Sequence, residues 1–271
     1  MNGMNEIMVG TCGWSYKDWE GHFYPKGTAS TDYLAYYAER FPVVEVDSSF
    51  YGCPRATVVE GWRDKTPDSF GFSLKVPQTI THEKCLSNCQ AEVDEFLTAA
   101  RILGDKLLCC VLQFGFFNSK VFASLNAFLE RLGPFLELWP KDVPLAVEIR
   151  NKYWMKKQFG DFLRSYDVTW VLADQQWMPM PEEIARNMNS VTGSFGYLRL
   201  LGDRKAVDDL TPTLNRTVID RSEQIQSDAR TAKLMSINVP VVVFVNNHFA
   251  GYAHDTVAAL LATLKNDETP F

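Results

Sequence analysis

No apolar stretch in this chain is long enough to cross a bilayer. The longest near-apolar run, Leu107–Phe117, falls well short of the ~20 residues that a spanning helix needs. Residues 1–9 carry no apolar h-region, so no secretory signal is expected there and a cytoplasmic location is. Histidine is scarce: His22, His82, His248 and His254 are the only four, and no two share a metal-binding helical spacing with an acid between them. The six cysteines form no zinc pattern. Cys85 and Cys89 have the spacing of neighbours on a helix, while Cys109 and Cys110 are adjacent in one apolar run and should face opposite sides. Reduced, structural thiols are expected. No P-loop, dinucleotide fingerprint or serine elbow is present, Gly10-Thr-Cys-Gly13 being only a faint echo of the second. Neither a cofactor nor a required metal is therefore expected. Excess positive charge is also missing, with 27 Lys and Arg against 33 Asp and Glu and a net charge of −6. A sequence-independent grip on nucleic acid usually needs a basic face, so the expected partner is a small molecule, not nucleic acid or a membrane. Interior linkers, low-complexity segments and strong repeats are lacking too, which points to one domain over residues 1–271, with oligomeric state left open.

What is present is apolar and aromatic, 46% and 13% of the 271 residues, ample for a core. Eight short apolar runs recur along the chain: Ile7–Gly10, Val43–Tyr51, Phe70–Val76, Leu107–Phe114, Leu145–Arg150, Val168–Asp174, Gly196–Leu200 and Val241–Asn247. Between several of them lie helical periodicities, such as Val93, Phe96, Leu97 and Ala100, or Phe159, Phe162, Leu163 and Tyr166. Strands alternating with helices call for a parallel sheet, and eight units without a linker call for its closure. The expected fold is a single (β/α)8 TIM-like barrel, in preference to an open doubly wound sheet. Gly13–Ala29, Gln175–Gly193 and Gly202–Thr217 are long connections expected on its C-terminal face.

Period-two geometry sorts the polar residues. Val44 and Val46 must face the helices, which turns Glu45, Asp47, Ser49 and Tyr51 to the other side. The same reasoning turns Gly71, Ser73 and Lys75 inward, then Ala146, Glu148 and Arg150, then Tyr197 and Arg199. The sixth run adds Asp174, and the eighth adds Asn246 and Asn247, only one of which can point inward. Four acids (Glu45, Asp47, Glu148 and Asp174) thus meet three bases (Lys75, Arg150 and Arg199). Apolar residues would often be at least as stabilising as such a network, which weighs the cluster toward function. Lys75 and Glu148 form the natural acid–base pair with Asp47 beside them, and Arg150 and Arg199 an anion clamp. Trp14, Tyr16 and Trp19 in the first loop either stack on a ligand ring or cap the barrel.

In order along the chain stand Gly10-Thr-Cys-Gly-Trp14 with Tyr16 and Trp19, Phe23-Tyr-Pro25, Glu45-Val-Asp-Ser-Ser-Phe-Tyr51, Trp62, Thr66-Pro67, Phe70-Gly-Phe-Ser-Leu-Lys75, Thr81-His82, Leu107, Gln113, Glu148-Ile-Arg150, Asp174, Tyr197-Leu-Arg199 and Asn246-Asn247. This set resembles the YecE-like family of uncharacterised TIM barrels nearly end to end. The resemblance implies a (β/α)8-like barrel and adds His82 to the candidate substrate-binding residues, but supplies no reaction. Leu201 stands where the family usually carries His before Gly, and Gln113-Phe-Gly-Phe lacks the prolines usual after that Gln. Three readings follow. The first is an enzyme using acid–base chemistry on a small anionic or carbohydrate-like substrate. The second is a non-catalytic binder or sensor, made credible by Leu201. The third is a metal-dependent phosphodiesterase related to endonuclease IV-type barrels, which acidic charge and scarce histidine oppose.

Overall fold

Short apolar segments, most of them carrying β-branched or aromatic residues, become eight short parallel strands: β1 (Ile7–Cys12), β2 (Val43–Val46), β3 (Gly71–Lys75), β4 (Leu107–Gln113), β5 (Leu145–Glu148), β6 (Thr169–Gln175), β7 (Gly196–Gly202) and β8 (Val241–Val245). In this computed structural model, which describes residues 5–266, they close into one ring in sequence order. Closure is made by β1 and β8, paired in parallel from Ile7 opposite Val241 to Thr11 opposite Val245. The open-sheet alternative is thereby excluded. Helices α1 (Tyr33–Ala38), α2 (Ala56–Asp64), α3 (Gln90–Ala100), α4 (Leu125–Leu138), α5 (Lys157–Ser165), α6 (Pro181–Asn187), α7 (Arg204–Leu210), α8 (Ser222–Ser236) and α9 (Ala253–Asn266) lie outside or at the rim. Among the described residues no helix is long and apolar enough to cross a membrane.

Strand alternation divides the apolar residues between two cores. Val44, Val46, Phe72, Leu74, Val147, Leu172 and Leu198 join the large core between sheet and helices. Val43, Cys109, Val111, Ala146, Val171, Tyr197 and Phe244 fill the barrel itself. Cys109 and Cys110 do face opposite cores, and all six cysteines are free. The barrel is narrow at Gly10, where an added Cβ would lie 2.0 Å from the Val43 carbonyl oxygen, so only glycine lets β1 approach β2 there.

Several expectations need correction. The alternation in the second run stops at Val46, because residues 48–50 turn into a 3-10 helix; Ser49 is buried there, with its hydroxyl on the Val46 and Lys75 carbonyls. Cys85 lies in a left-handed turn and Cys89 caps α3, so the two are not neighbours on one helix. The long connections after β6 and β7 contain α6 and α7. Helix α8 escaped the periodicity because the face it buries includes Ser227, Asp228, Thr231 and Ser236, which read as solvent-facing in a sequence.

Candidate functional site

Since every strand is parallel, all C-terminal ends share one face of the ring, and polar residues at those ends converge. At the centre is Arg199 of β7, 1% exposed. Its Nη2 donates to Glu45 Oε1 of β2 at 2.7 Å, and its Nη1 donates to Glu148 of β5. The other oxygen of Glu45 accepts from the Tyr197 hydroxyl at 2.6 Å, which is itself 2.8 Å from Ser73 Oγ. Arg150 Nε donates to Glu148 Oε1 at 2.9 Å. Burial works against the Glu148 carboxylate, but Arg199, Arg150 and Lys75 outweigh it and hold its pKa down to about 2. Burial likewise opposes the Arg199 charge and is overcome by Glu148 and Glu45. Glu148 is therefore a fixed negative charge across the neutral range, and both terminal nitrogens of Arg199 are engaged by carboxylates, while its buried Nε has no partner among the described residues.

Above this floor opens a cleft of about 700 Å³. Lys75 and Asp47 form an ion pair at its base, Nζ to Oδ1 2.9 Å, so Lys75 pairs with Asp47 rather than with Glu148. Burial pushes Asp47 up, but Lys75 and Arg199 hold it below the usual carboxylate range. Arg150 keeps about 30% of its side chain exposed while only its Nε meets Glu148, which leaves its terminal nitrogens toward the cleft. Tyr16, Tyr51, His82, Arg199 and Asn246 also line it. The Tyr16 hydroxyl donates to the Cys12 carbonyl at 2.6 Å. His82 is pinned on both nitrogens, with Nε2 3.2 Å from the Gly115 amide and Nδ1 2.8 Å from Thr81 Oγ1. Burial lowers its pKa, and Arg150 and Lys75 lower it further, so it stands as a neutral part of the wall.

A family model described as "Protein of unknown function DUF72" matches residues 8–270. This chain belongs to the DUF72 family. It is 32% identical over 152 residues to the UPF0759 protein YecE of Escherichia coli K12, covering 56% of this chain and 51% of that one. The UPF0759 protein YunF of Bacillus subtilis is 30% identical over 169 residues, covering 59% and 56%. The matches thus span about half the length of these curated relatives. A DUF72 protein of Thermotoga maritima superposes with a TM-score of 0.76 at 24% identity, over 97% of this chain and 100% of that one. A second, from Enterococcus faecalis, gives 0.71 at 22% over 97% of each. At such identities the two structures speak for the barrel fold alone, and the YecE-like resemblance of the motifs agrees with all four.

Three of the candidates lie elsewhere in this DUF72 barrel. Asp174 follows Trp170 and Leu172 on the helix-facing side of β6, where its carboxyl meets Asp228 of α8. The parity of Val171 excludes it from the interior. Asn247 is 1% exposed and accepts from Trp19 Nε1 at 3.2 Å and from the Ala253 amide at 3.0 Å, tying the first loop to α9. Trp14 packs edge-on to Trp62 at 5.6 Å in a groove beside α1 and α2. Conversely, the cleft gains Gln113, Gln175, Gln176, Trp177, Arg204, Lys205 and His248. Arg204 and Lys205 pair with Asp208 and Asp209 one turn on, and His248 Nε2 lies 3.2 Å from Asp208 Oδ1. Gln113 and Gln175 close β4 and β6 in plain view, whereas Gln176, Trp177 and His248 lie just past strand ends and Arg204 and Lys205 open the short helix α7, where no periodicity marks them. Leu201 also lines the cleft, at the position noted as His in the family.

Cys12, Glu45 and Asp47 bring ligand atoms within 4.8 Å of one another. The set does not suit a transition metal. Arg199 and Lys75 already serve both carboxylates, and burial, then Glu45, push the Cys12 thiol well above its ordinary value, whereas a metal needs the thiolate.

Proposed function

We propose that the barrel mouth binds a small anionic molecule and that Lys75, oriented by Asp47, exchanges a proton with it. The observation that carries this reading is Arg150, whose Nε is fixed by Glu148 while its outer nitrogens face the cleft beside Lys75. A guanidinium so oriented donates paired hydrogen bonds to a carboxylate or phosphate. Arg199 contributes charge from below but is no partner of Arg150 in a clamp, because Glu45 and Glu148 occupy its terminal nitrogens. A second reading, binding without turnover, is favoured by the ionised state of Glu148 and by Leu201 at the cleft wall.

Thermal denaturation with inorganic phosphate, sulfate and small carboxylates tests the binding. At a hundredfold excess over its dissociation constant an anion stabilises by about 2.7 kcal/mol. Arg150→Ala should lose most of that effect. Unchanged melting across the anion panel, or an equal response in the variant, would refute the site. If Lys75→Gln retains anion binding and abolishes conversion of a bound ligand, turnover is supported; if the wild type converts none, the binder reading stands.

A further inference from the structure

The cleft has features that an anion-binding floor does not require. Trp177 and Tyr51 are 78% and 76% exposed, and both line it. Trp177 follows β6 and Tyr51 follows β2; in a ring of eight those strands lie four steps apart in either direction, so the rings rise on opposite sides of the mouth. Trp177 also has φ +71°, a left-handed conformation that is costly for a bulky residue and that concentrates at ligand clamps. Exposing an indole from a strained turn stabilises nothing in the free protein.

The wall between these rings carries amides without partners. Gln113 is only 6% exposed, lines the cleft, and makes no side-chain hydrogen bond to any described residue. Gln175 Oε1 is shielded from solvent and likewise unpartnered among the described residues. An unmet buried acceptor such as Gln175 Oε1 costs about 1–3 kcal/mol and needs an explanation, whereas Gln113 presents its amide to the cleft. A carboxamide both donates and accepts, which matches a hydroxyl that does the same.

We infer that the ligand is an anionic sugar: a hexose-sized ring bearing a phosphate or carboxylate. This rests on the anion-binding reading above and adds the ring. The anionic group meets Arg150 and Lys75, the hydroxyls meet Gln113 and Gln175, and a C–H face of the ring lies on Trp177 or Tyr51. A cleft of about 700 Å³ has room for such a molecule.

Calorimetric titration of the full chain with glucose 6-phosphate, glucuronate, glucose, inorganic phosphate and adenosine monophosphate is the test. A sugar anion should bind at least tenfold tighter than phosphate, and glucose alone more weakly than either. Trp177→Ala and Gln113→Leu should bring the sugar anion to the phosphate level and leave phosphate affinity unchanged. Trp177 is exposed, so its loss should leave folding intact, and melting temperature checks this for both variants. Phosphate binding with no gain from either sugar anion would overturn the inference and spare the anion site. Adenosine monophosphate binding tighter than both would overturn it in favour of a base. Failure of phosphate and both sugar anions to bind would refute the two readings together.

Discussion

His254 near the start of α9 is enclosed by rings and has no polar partner among the described residues. It stacks on Phe23 at 3.9 Å and meets Trp19 at 4.2 Å, Tyr252 at 5.1 Å and Phe41 at 5.3 Å between centroids. Both ring nitrogens are shielded and unbonded among the described residues, and burial pushes the pKa down to about 3. The folded protein therefore holds the neutral imidazole at a pH where the unfolded chain, titrating near 6.5, takes up a proton. This contribution to stability is present above about pH 6.5, falls as the pH drops, and is gone below about pH 3. At pH 5 the unfolded side chain is almost wholly protonated and the folded one is not, so the loss is about 2 kcal/mol. That value depends on the unfolded pKa alone, provided the folded one lies well below 5. Denaturant unfolding at pH 7.5 and pH 5, for the wild type and for His254→Phe, isolates the effect, since the phenyl ring suits the same box and the carboxylates cancel in the difference. The wild type should lose about 2 kcal/mol more than the variant. Equal losses would refute the reasoning and show that the rings hold the imidazolium by cation–π attraction instead.

Two further changes follow from the same accounting. Burial, then Asp174, pushes the Asp228 carboxyl well above its ordinary range, so the folded state keeps a proton that the unfolded chain loses, and the associated stability is lost as pH rises. Asp228→Asn should therefore stabilise the protein at pH 8 with a gain that fades by pH 4; urea midpoints showing no gain at pH 8 would exclude a shared proton. Glu148→Gln leaves Arg199 with a buried charge and one partner fewer, for which about 3–5 kcal/mol of destabilisation is expected. A loss under about 1 kcal/mol in denaturant unfolding would mean that Glu45 alone satisfies the guanidinium.

The barrel was readable because its strands alternate cleanly. Val44 and Val46, or Phe72 and Leu74, leave no choice about which neighbours turn inward, and Glu45, Ser73, Lys75 and Arg199 lie where that rule puts them. The rule was available for Asp174 as well. Residues 170–173 are apolar on both faces, however, and a carboxylate at a strand end resembles a pocket residue unless parity is counted from Val171. Asn246 and Asn247 are separated by the same count, from Val242 and Phe244. Trp177, Arg204 and Lys205 were beyond reach, since the turn after β6 and the placement of the short helix α7 decide them. So was the pairing inside the network: composition put acids beside bases, but only distance shows that Lys75 takes Asp47 and leaves Glu148 to the arginines.

Arg199 joins three strands that are not neighbours in the ring, reaching from β7 to Glu45 on β2 and Glu148 on β5. Such a spoke holds the mouth to a fixed shape from within, independently of the loops above it. The residues of the rim are then free to vary at small cost to the fold, while those of the hub are not. On the ligand-binding reading proposed above, exchange of Trp177, Arg204 or Leu201 would present a different wall to a ligand over the same charged floor. Changes of specificity should accordingly accumulate at the rim, and changes at Arg199 should be felt first as loss of folded protein.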